Sequence, residues 1–600
     1  MSVWSPRRPA LVVRAVLAAA LGFSALAAAT TFAPQASAAS VTDPLCISTP
    51  LSSPERLDQA LANGVSAALL RTINNLTGSQ LDHFSEDETT WVDRCGRLYV
   101  ADEGAASAQA DTPAQLASSE VPANVFDLSS RPQSNRTIYL DFDGATYSGT
   151  KWKNGAEIVS APFSVDDDPS TFNAEERAQI YLAWKVVAED YAAFDVNVTT
   201  RKPDVSALTR TSSADTTYGM PIVITPTNSV GSSCACGGLS YVGMFGAVNG
   251  TGYQPSWAFT YGSGTNGYNI GQVVAHEIGH SFGLSHDGTS DSGYYAGAKG
   301  WAPIMGSSYN QRASQWSKGE YAGANNTEDD IAIIAKNAPL LADDHGDDKV
   351  GATRVSLSST TSGVIGSRTD VDAFTFTGSG TTTVAVTGPA GVSDLDVQLT
   401  VQNSVGLTIA QLNAVGDEAS DDTMSATWTA DLPSTPAVYT VLVDGVGYGN
   451  PQEAGRYSDY GSIGTYQVNV YAGRPVTPTD TSTNPGTTGT PASTSTTQTS
   501  STQTSAGTST TPRSTQDISF VTRSVPRAKV GKKYRAEIRF EGPVTDASVD
   551  YHLPAGLKWR VLADRIVITG KVKARSRSTF NVDLDGDDSS TRMKFRLVAR

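Results

Sequence analysis

Three of the chain's six histidines fall within eleven positions, in the run His276, Glu277, Ile278, Gly279, His280, Ser281, Phe282, Gly283, Leu284, Ser285, His286, Asp287. Val273, Val274, Ile278 and Phe282 recur at helical spacing, so residues 270–282 are predicted to be a helix carrying His276 and His280 four apart on one face. Both imidazoles can then reach one metal ion. Glu277, one step round the helix, is placed to accept a proton from an activated water rather than to ligate beside the histidines, which is the work of a general base. Gly283 tolerates the left-handed backbone of a sharp helix ending, and that turn can bring His286 back as a third ligand. Three protein ligands leave one zinc position open for water, whose pKa drops to roughly 7, and for a carbonyl to be polarised. Such a site is catalytic.

The extended run resembles the signature of the metzincin zinc metallopeptidases, whose glycine and third histidine stand where Gly283 and His286 do. Asp287 makes it most similar to the adamalysin or reprolysin branch. The resemblance implies zinc on His276, His280 and His286, with Glu277 as general base and Asp287 steadying the ligand loop. It also implies a methionine turn beneath the metal, which Trp301, Ala302, Pro303, Ile304, Met305, Gly306 supplies, with Met305 as the floor residue. Some metzincins add a tyrosine ligand two residues after that methionine. Ser307 stands there, so Tyr309 is not assigned to the metal. The implied activity is that of a secreted zinc-dependent endopeptidase acting on protein or peptide substrates. A zinc hydrolase of a non-peptide bond is a rival. A secreted adhesion or cell-wall-binding protein, whose β modules carry the main function, is the alternative from another class.

The fold class expected is multidomain: an α/β metzincin catalytic domain, with a mixed twisted sheet plus the zinc helix, followed by two all-β sandwich domains. At 600 residues the chain is too long for one core. Arg7, Arg8 and Arg14, the apolar stretch 15–29 and small residues up to Ala38 read as a signal peptide, 1–38, and imply an extracellular protein with no stable membrane span after its removal. A polar pro-region at 39–133, with a helical patch over 57–76, would keep a zymogen latent. The catalytic domain is set at 134–342. It has strands over 138–142, 195–200, 221–225, 239–246 and 256–261, a helix over 174–191, and a last helix capped by Thr327. By the same resemblance, 239–246 is the edge strand to which an extended substrate adds.

Short β runs over 350–473, with Asp370, Val371, Asp372, Ala373, Phe374, then Val443, Asp444, Gly445 and Gly464, Thr465, Tyr466, resemble a bacterial pre-peptidase C-terminal domain. Residues 474–517, nearly all Thr, Ser, Pro and Gly, form a linker unable to bury enough surface to fold. Residues 518–600 carry 18 Lys and Arg against nine Asp and Glu, in a chain whose net charge is −16. Leu553, Pro554, Ala555, Gly556, Leu557 resemble a motif of bacterial immunoglobulin-like repeats. Such a basic module suits an anionic cell-wall polymer. It has no nucleic-acid motif.

Four cysteines suit disulfides outside the cell, Cys46 with Cys95 and Cys234 with Cys236. Asp93, Arg94, Cys95, Gly96 is also similar to the segment by which some metzincin pro-regions cap zinc with a thiolate, so Cys95 has two readings. Calcium is a candidate second ion, at Asp166, Asp167 and Asp168 or at Asp370, Asp372 and Asp396.

Overall fold

The computed structural model describes residues 45–104, 120–166, 168–230, 236–298, 300–309, 311, 313–413, 424–453 and 456–474. In the tail it describes 519–522, 525–541, 546–549, 557–562, 565–573, 576–586 and 589–599. The predicted signal segment and almost all of the predicted linker lie outside these residues. Two compact units are present, Met1–Asp480 and Thr481–Arg600.

The helical patch expected over 57–76 is broken into α1 (Leu57–Ala62), α2 (Ala67–Asn74) and α3 (Gly78–Glu86). Gly64 and Asn75 interrupt it with left-handed backbone, and the Ser66 and Thr77 side chains cap the helices that follow. Leu57, Leu70, Leu81 and Phe84 bury together with Val92, Leu98 and Val100. Those last three lie on β2 (Thr90–Val92) and β3 (Leu98–Glu103), which follow β1 (Glu55–Arg56) in one sheet.

That sheet continues into the next region. After β4 (Arg136–Asp141) comes a small hairpin of β5 (Ala145–Tyr147) and β6 (Ile158–Ser160), then α4 (Ala174–Asp190), β7 (Asn197–Thr199), β8 (Tyr218–Thr225), β9 (Cys236–Tyr241) and β10 (Ser256–Phe259). The eight-stranded order is β1-β2-β3-β9-β10-β8-β4-β7. β10, β8, β4 and β7 run parallel, while β9 is antiparallel to both neighbours, β10 and β3. Strand β9 was expected at an edge. Here β3 covers it.

Residues 120–133, read from sequence as part of the pro-region, pack with the region after them. Val125 and Leu128 lie in the same core as β4, and Thr199 and Thr200 donate hydroxyl hydrogen bonds to the carbonyls of Leu128 and Val125. The short α5 (Thr260–Ser263) precedes α6 (Gly267–Phe282), a helix buried along its whole length. Helix α6 lies tight on α4 because two glycines four apart face it. A Cβ at Gly267 would overlap the Gln179 carbonyl oxygen, and one at Gly271 would come within 2.6 Å of the Val186 Cβ. Beyond α6 lie the parallel pair β11 (Trp301–Pro303) and β12 (Ala313–Gln315), then α7 (Asp330–Ala335). Asp329 caps α7 by accepting from the Ala332 amide, so Thr327 lies two residues too early for the role expected of it. An acidic side chain at that position also complements the helix dipole.

Residues 353–472 form a seven-stranded sheet around the long strands Val371–Thr387 and Ala426–Gly445, paired antiparallel with a register shift between Gly378 and Gly380. Its apolar face, including Phe374, Leu399 and Val441, belongs to the same core as α4 and α6. The join contains acids. Glu189 accepts from the Thr465 amide at 3.0 Å and the Thr465 hydroxyl at 2.6 Å. Burial pushes Glu189 up to about 7 and drives Asp190 and Asp394, which face one another, well above the ordinary range.

The folded chain therefore holds protons that the unfolded chain has already released, across the window between the ordinary carboxylate range and about pH 7. Stability should fall as pH rises through that window and stay low above it. The expected result is a Tm on the order of 5 °C lower at about pH 8 than at about pH 5. Glu189→Gln, which keeps the shape without the charge, should flatten that difference in a thermal melt at each pH.

The second unit, taken by itself, is all strand among its described residues. Ser519–Phe520, Lys533–Glu541, Leu557–Leu562 and Arg565–Lys571 make one sheet, and Asp546–Val549, Ser576–Gly586 and Ser589–Ala599 another. Ile538, Ile566 and Ile568 of the first share a core with Phe580, Phe595 and Leu597 of the second. The alternation of apolar and polar residues along these strands is what buries one face of each sheet.

Candidate metal centre

Helix α6 presents His276 and His280 on one face, and Gly283, with φ of +112°, ends it in a left-handed turn. The chain doubles back there, with the Leu284 amide donating to the Gly279 carbonyl, and His286 returns to the other two histidines. The Nε2 atoms of His276 and His280 lie 3.1 Å apart, and those of His280 and His286 3.0 Å apart. All three rings are buried.

Each ring is held by its other nitrogen. His276 Nδ1 donates to the Ile304 carbonyl and His280 Nδ1 to the Leu284 carbonyl, both at 2.8 Å, while His286 Nδ1 lies 2.6 Å from an Asp87 carboxylate oxygen. Each Nδ1 therefore carries a proton, and the three Nε2 atoms face a common point. Uncharged, they would repel. A divalent cation reconciles them, and an all-imidazole set with hydrogen-bonded outer nitrogens suits zinc. Burial alone would depress His286, but Asp87 and Asp102 outweigh it and push it up to about 10.

Glu277 is buried on the same helix with neither carboxylate oxygen hydrogen-bonded. Burial first, and then the Asp102 carboxylate, drives it well above the ordinary range. Met305 is fully buried below α6: a Cβ on Gly279 would come to 2.5 Å of its sulfur. Asp287 does not touch a histidine ring. Its amide donates to the Met305 carbonyl, its carboxyl faces Ser317 and Asn326, and burial pushes it up to about 8. Asn326 in turn donates to the His286 carbonyl, so Asp287 acts on the ligand loop from behind. Tyr309 packs at the edge of the core, near enough to Asp102 and Glu277 for both to raise it, although burial is the larger cause.

Three residues at the site escaped the sequence reading. Asp102, on β3, puts one oxygen 3.2 Å from His276 Nε2 and 3.4 Å from His280 Nε2, and the other 3.1 Å from His286 Nε2. Tyr294 donates its hydroxyl to Asp102 at 2.8 Å and lays its ring against His286, 4.1 Å between centroids. Asp87, just past α3, holds His286 from outside. One signal for Asp102 existed: Leu98, Val100 and Asp102 alternate on one face of a strand, and an acid in an apolar series needs a partner.

Cys46 and Cys95 are disulfide-bonded, so Cys95 offers no thiolate to the metal. The thiolate cap is corrected by that bond. A thiol-directed mercurial should therefore leave a latent form of this protein latent, and a thiol titration of the denatured, unreduced chain should find no free Cys95. Cys236 is also disulfide-bonded, while Cys234, its expected partner, lies outside the described residues. Of the calcium candidates, Asp167 is outside the described residues, and Asp166 and Asp168 accept hydrogen bonds from their own loop. Asp370 and Asp372 converge with Asp343, an oxygen set of the kind a hard cation takes, whereas Asp396 is separately engaged by Asn413 and Tyr457.

Residues 162–317 match a family description, Reprolysin_5, metallo-peptidase family M12. The match spans α4, the parallel strands β7, β8 and β10, all three histidines, Glu277 and Met305. No curated protein matches the chain. Among solved structures, the pre-peptidase C-terminal domain of a collagenase from Bacillus anthracis is similar at 18% identity, over 20% of this chain and 93% of that one, with a TM-score of 0.13. The titin M3 domain is similar at 14% identity, over 14% of this chain and 96% of that one, also with a TM-score of 0.13. The metallopeptidase family match supports a zinc-dependent peptidase acting on protein or peptide substrates. No helix among the described residues is long and apolar enough to cross a membrane.

Proposed function

We propose that this chain is a secreted zinc endopeptidase of metzincin type, made as a precursor and active once its amino-terminal region is removed. The observation that carries this reading is the convergence of three Nε2 atoms, each ring fixed by its Nδ1, beside a buried carboxylate with no partner of its own. His276, His280 and His286 would hold the zinc, which when bound acidifies a water and polarises a peptide carbonyl.

The protein's own groups do the rest. Glu277 takes the proton from the attacking water and passes it to the departing amine. Strand β9 would hold an extended substrate by its main-chain groups, a mode that tolerates many sequences. The Tyr294 hydroxyl, which now donates to a carboxylate oxygen at the histidines, would donate to the developing oxyanion. Tyr294→Phe should lower kcat by about 10- to 100-fold, the value of one hydrogen bond to a charged group. KM and zinc content should hardly change. A fall in KM's affinity alone, with kcat intact, would remove Tyr294 from the chemistry.

The test of the function is casein cleavage by the processed protein. Activity should disappear with a zinc chelator and return with added zinc. Processed, zinc-loaded protein that cleaves neither casein nor a peptide library would end the peptidase reading. Secretion, and attachment of the basic tail to an anionic cell-wall polymer, belong to the same proposal. Sedimentation with purified teichoic-acid-bearing walls, lost when residues 518–600 are deleted, tests the latter.

A further inference from the structure

We propose that Asp102 is the fourth ligand of the metal in the precursor, so that the amino-terminal region enforces latency through a carboxylate on the zinc. This rests on the zinc peptidase reading above and adds what holds that enzyme silent.

Four observations converge. Asp102 is buried, and its two oxygens lie 3.1 to 3.4 Å from the three Nε2 atoms. The His276 and His280 rings turn Nδ1 to the Ile304 and Leu284 carbonyls, so neither can, as a neutral imidazole, donate through Nε2 to the Asp102 oxygen that approaches it. Tyr294 donates to one Asp102 oxygen, while the other is buried against the His276 and His280 nitrogens and faces the Glu277 carboxyl. A buried carboxylate set among three imidazole nitrogens and a second carboxyl is costly unless a cation lies between them, and these four residues have the spacing to hold one.

The strand that carries Asp102 also fills the place beside β9. Strand β3 pairs with it from Tyr99 opposite Tyr241 to Asp102 opposite Gly238. One segment thus closes both the strand-addition slot and the water position. The same region grips the third ligand from behind, since Asp87 lies on His286 Nδ1 and His83 Nε2 lies 3.1 Å from the His286 carbonyl. The thiol that would otherwise serve is spent on the bond to Cys46. Four protein ligands make a closed, structural kind of zinc site, and three make an open one. Activation would then need hydrolysis of a peptide bond that frees the amino-terminal region, after which water would take the metal position that the Asp102 carboxylate gives up.

The test uses the full-length precursor carrying Glu277→Ala, which cannot process itself. Zinc transfer to a competing chromogenic chelator is timed with and without Asp102→Asn, and the visible spectrum of the cobalt-substituted protein is recorded for both. Asp102→Asn is nearly isosteric, and Asp102→Ala is run beside it. Zinc should leave the Asp102 variants about 10- to 100-fold faster, and the cobalt spectrum should change. A peptide of residues 97–104 should bind the processed Glu277→Ala enzyme, and the same peptide with alanine for Asp102 should not.

Unchanged zinc release and an unchanged cobalt spectrum would overturn Asp102 as a ligand while leaving the peptidase reading to the casein assay. Full activity in a chain that still carries β3 on the sheet would overturn latency. A precursor that binds neither zinc nor cobalt would end both readings.

Discussion

Glu277→Gln in the processed enzyme should lower kcat by about 10²- to 10⁴-fold, the range over which a positioned acid–base group acts. Zinc content and KM should stay near those of the unaltered protein. The reason is local. Glu277 shares α6 with His276 and His280 but makes no hydrogen bond that holds a ligand, since those two rings are fixed by the Ile304 and Leu284 carbonyls. Glutamine fits the same space and cannot take a proton. The contrast is His280→Ala, which removes the central nitrogen of the set, 3.1 Å from one neighbour and 3.0 Å from the other, and should lose metal and activity together. Metal analysis beside steady-state kinetics separates the two. Zinc lost from Glu277→Gln, or kcat retained within tenfold, would take the proton-transfer role away from Glu277.

The local half of this site was legible in the sequence because one helix and one turn encode it. The four-residue spacing of His276 and His280, the glycine at the helix end and Met305 downstream all survive into three dimensions. The non-local half was not. Asp102 reaches the histidines only because β3 pairs with β9, residues more than a hundred positions away, and register across such a distance leaves no mark in a single sequence. Strand β9 was read as an edge because the resemblance supplied a substrate slot, not what covers it. Likewise the helical patch at 57–76 showed its apolar period but not its breaks, which depend on left-handed backbone at Gly64 and Asn75. Nothing in the sequence marked Glu189, Asp190 and Asp394 as buried, because the segments that close over them lie about two hundred positions apart.

Gly238→Ala should cost the enzyme nearly as much as losing Glu277 itself, although residue 238 carries no chemistry. Gly238 sits on β9 opposite Ala258 of β10, a pairing that outlasts the departure of β3 on processing, so its backbone stays fixed by that ladder. A Cβ there would overlap the Glu277 carboxylate and lie 2.6 Å from its Cγ. Neither party can yield cheaply: the strand is held by β10, and Glu277 is buried on a helix that α4 already packs closely. The carboxylate must rotate out of line with the metal. A kcat lower by about 10²-fold or more is expected, because acid–base catalysis depends on hydrogen-bond reach before it depends on pKa. Overpacking of this kind should also lower stability by about 1–3 kcal/mol. Zinc should remain, since the histidines are anchored elsewhere. The double variant Gly238→Ala, Glu277→Gln decides the matter: if Gly238 acts through Glu277, the second change adds almost nothing to the first in kcat, whereas independent losses would multiply. Multiplied losses, or a Gly238→Ala enzyme with normal kcat, would show that the space beside Glu277 is not what this glycine preserves.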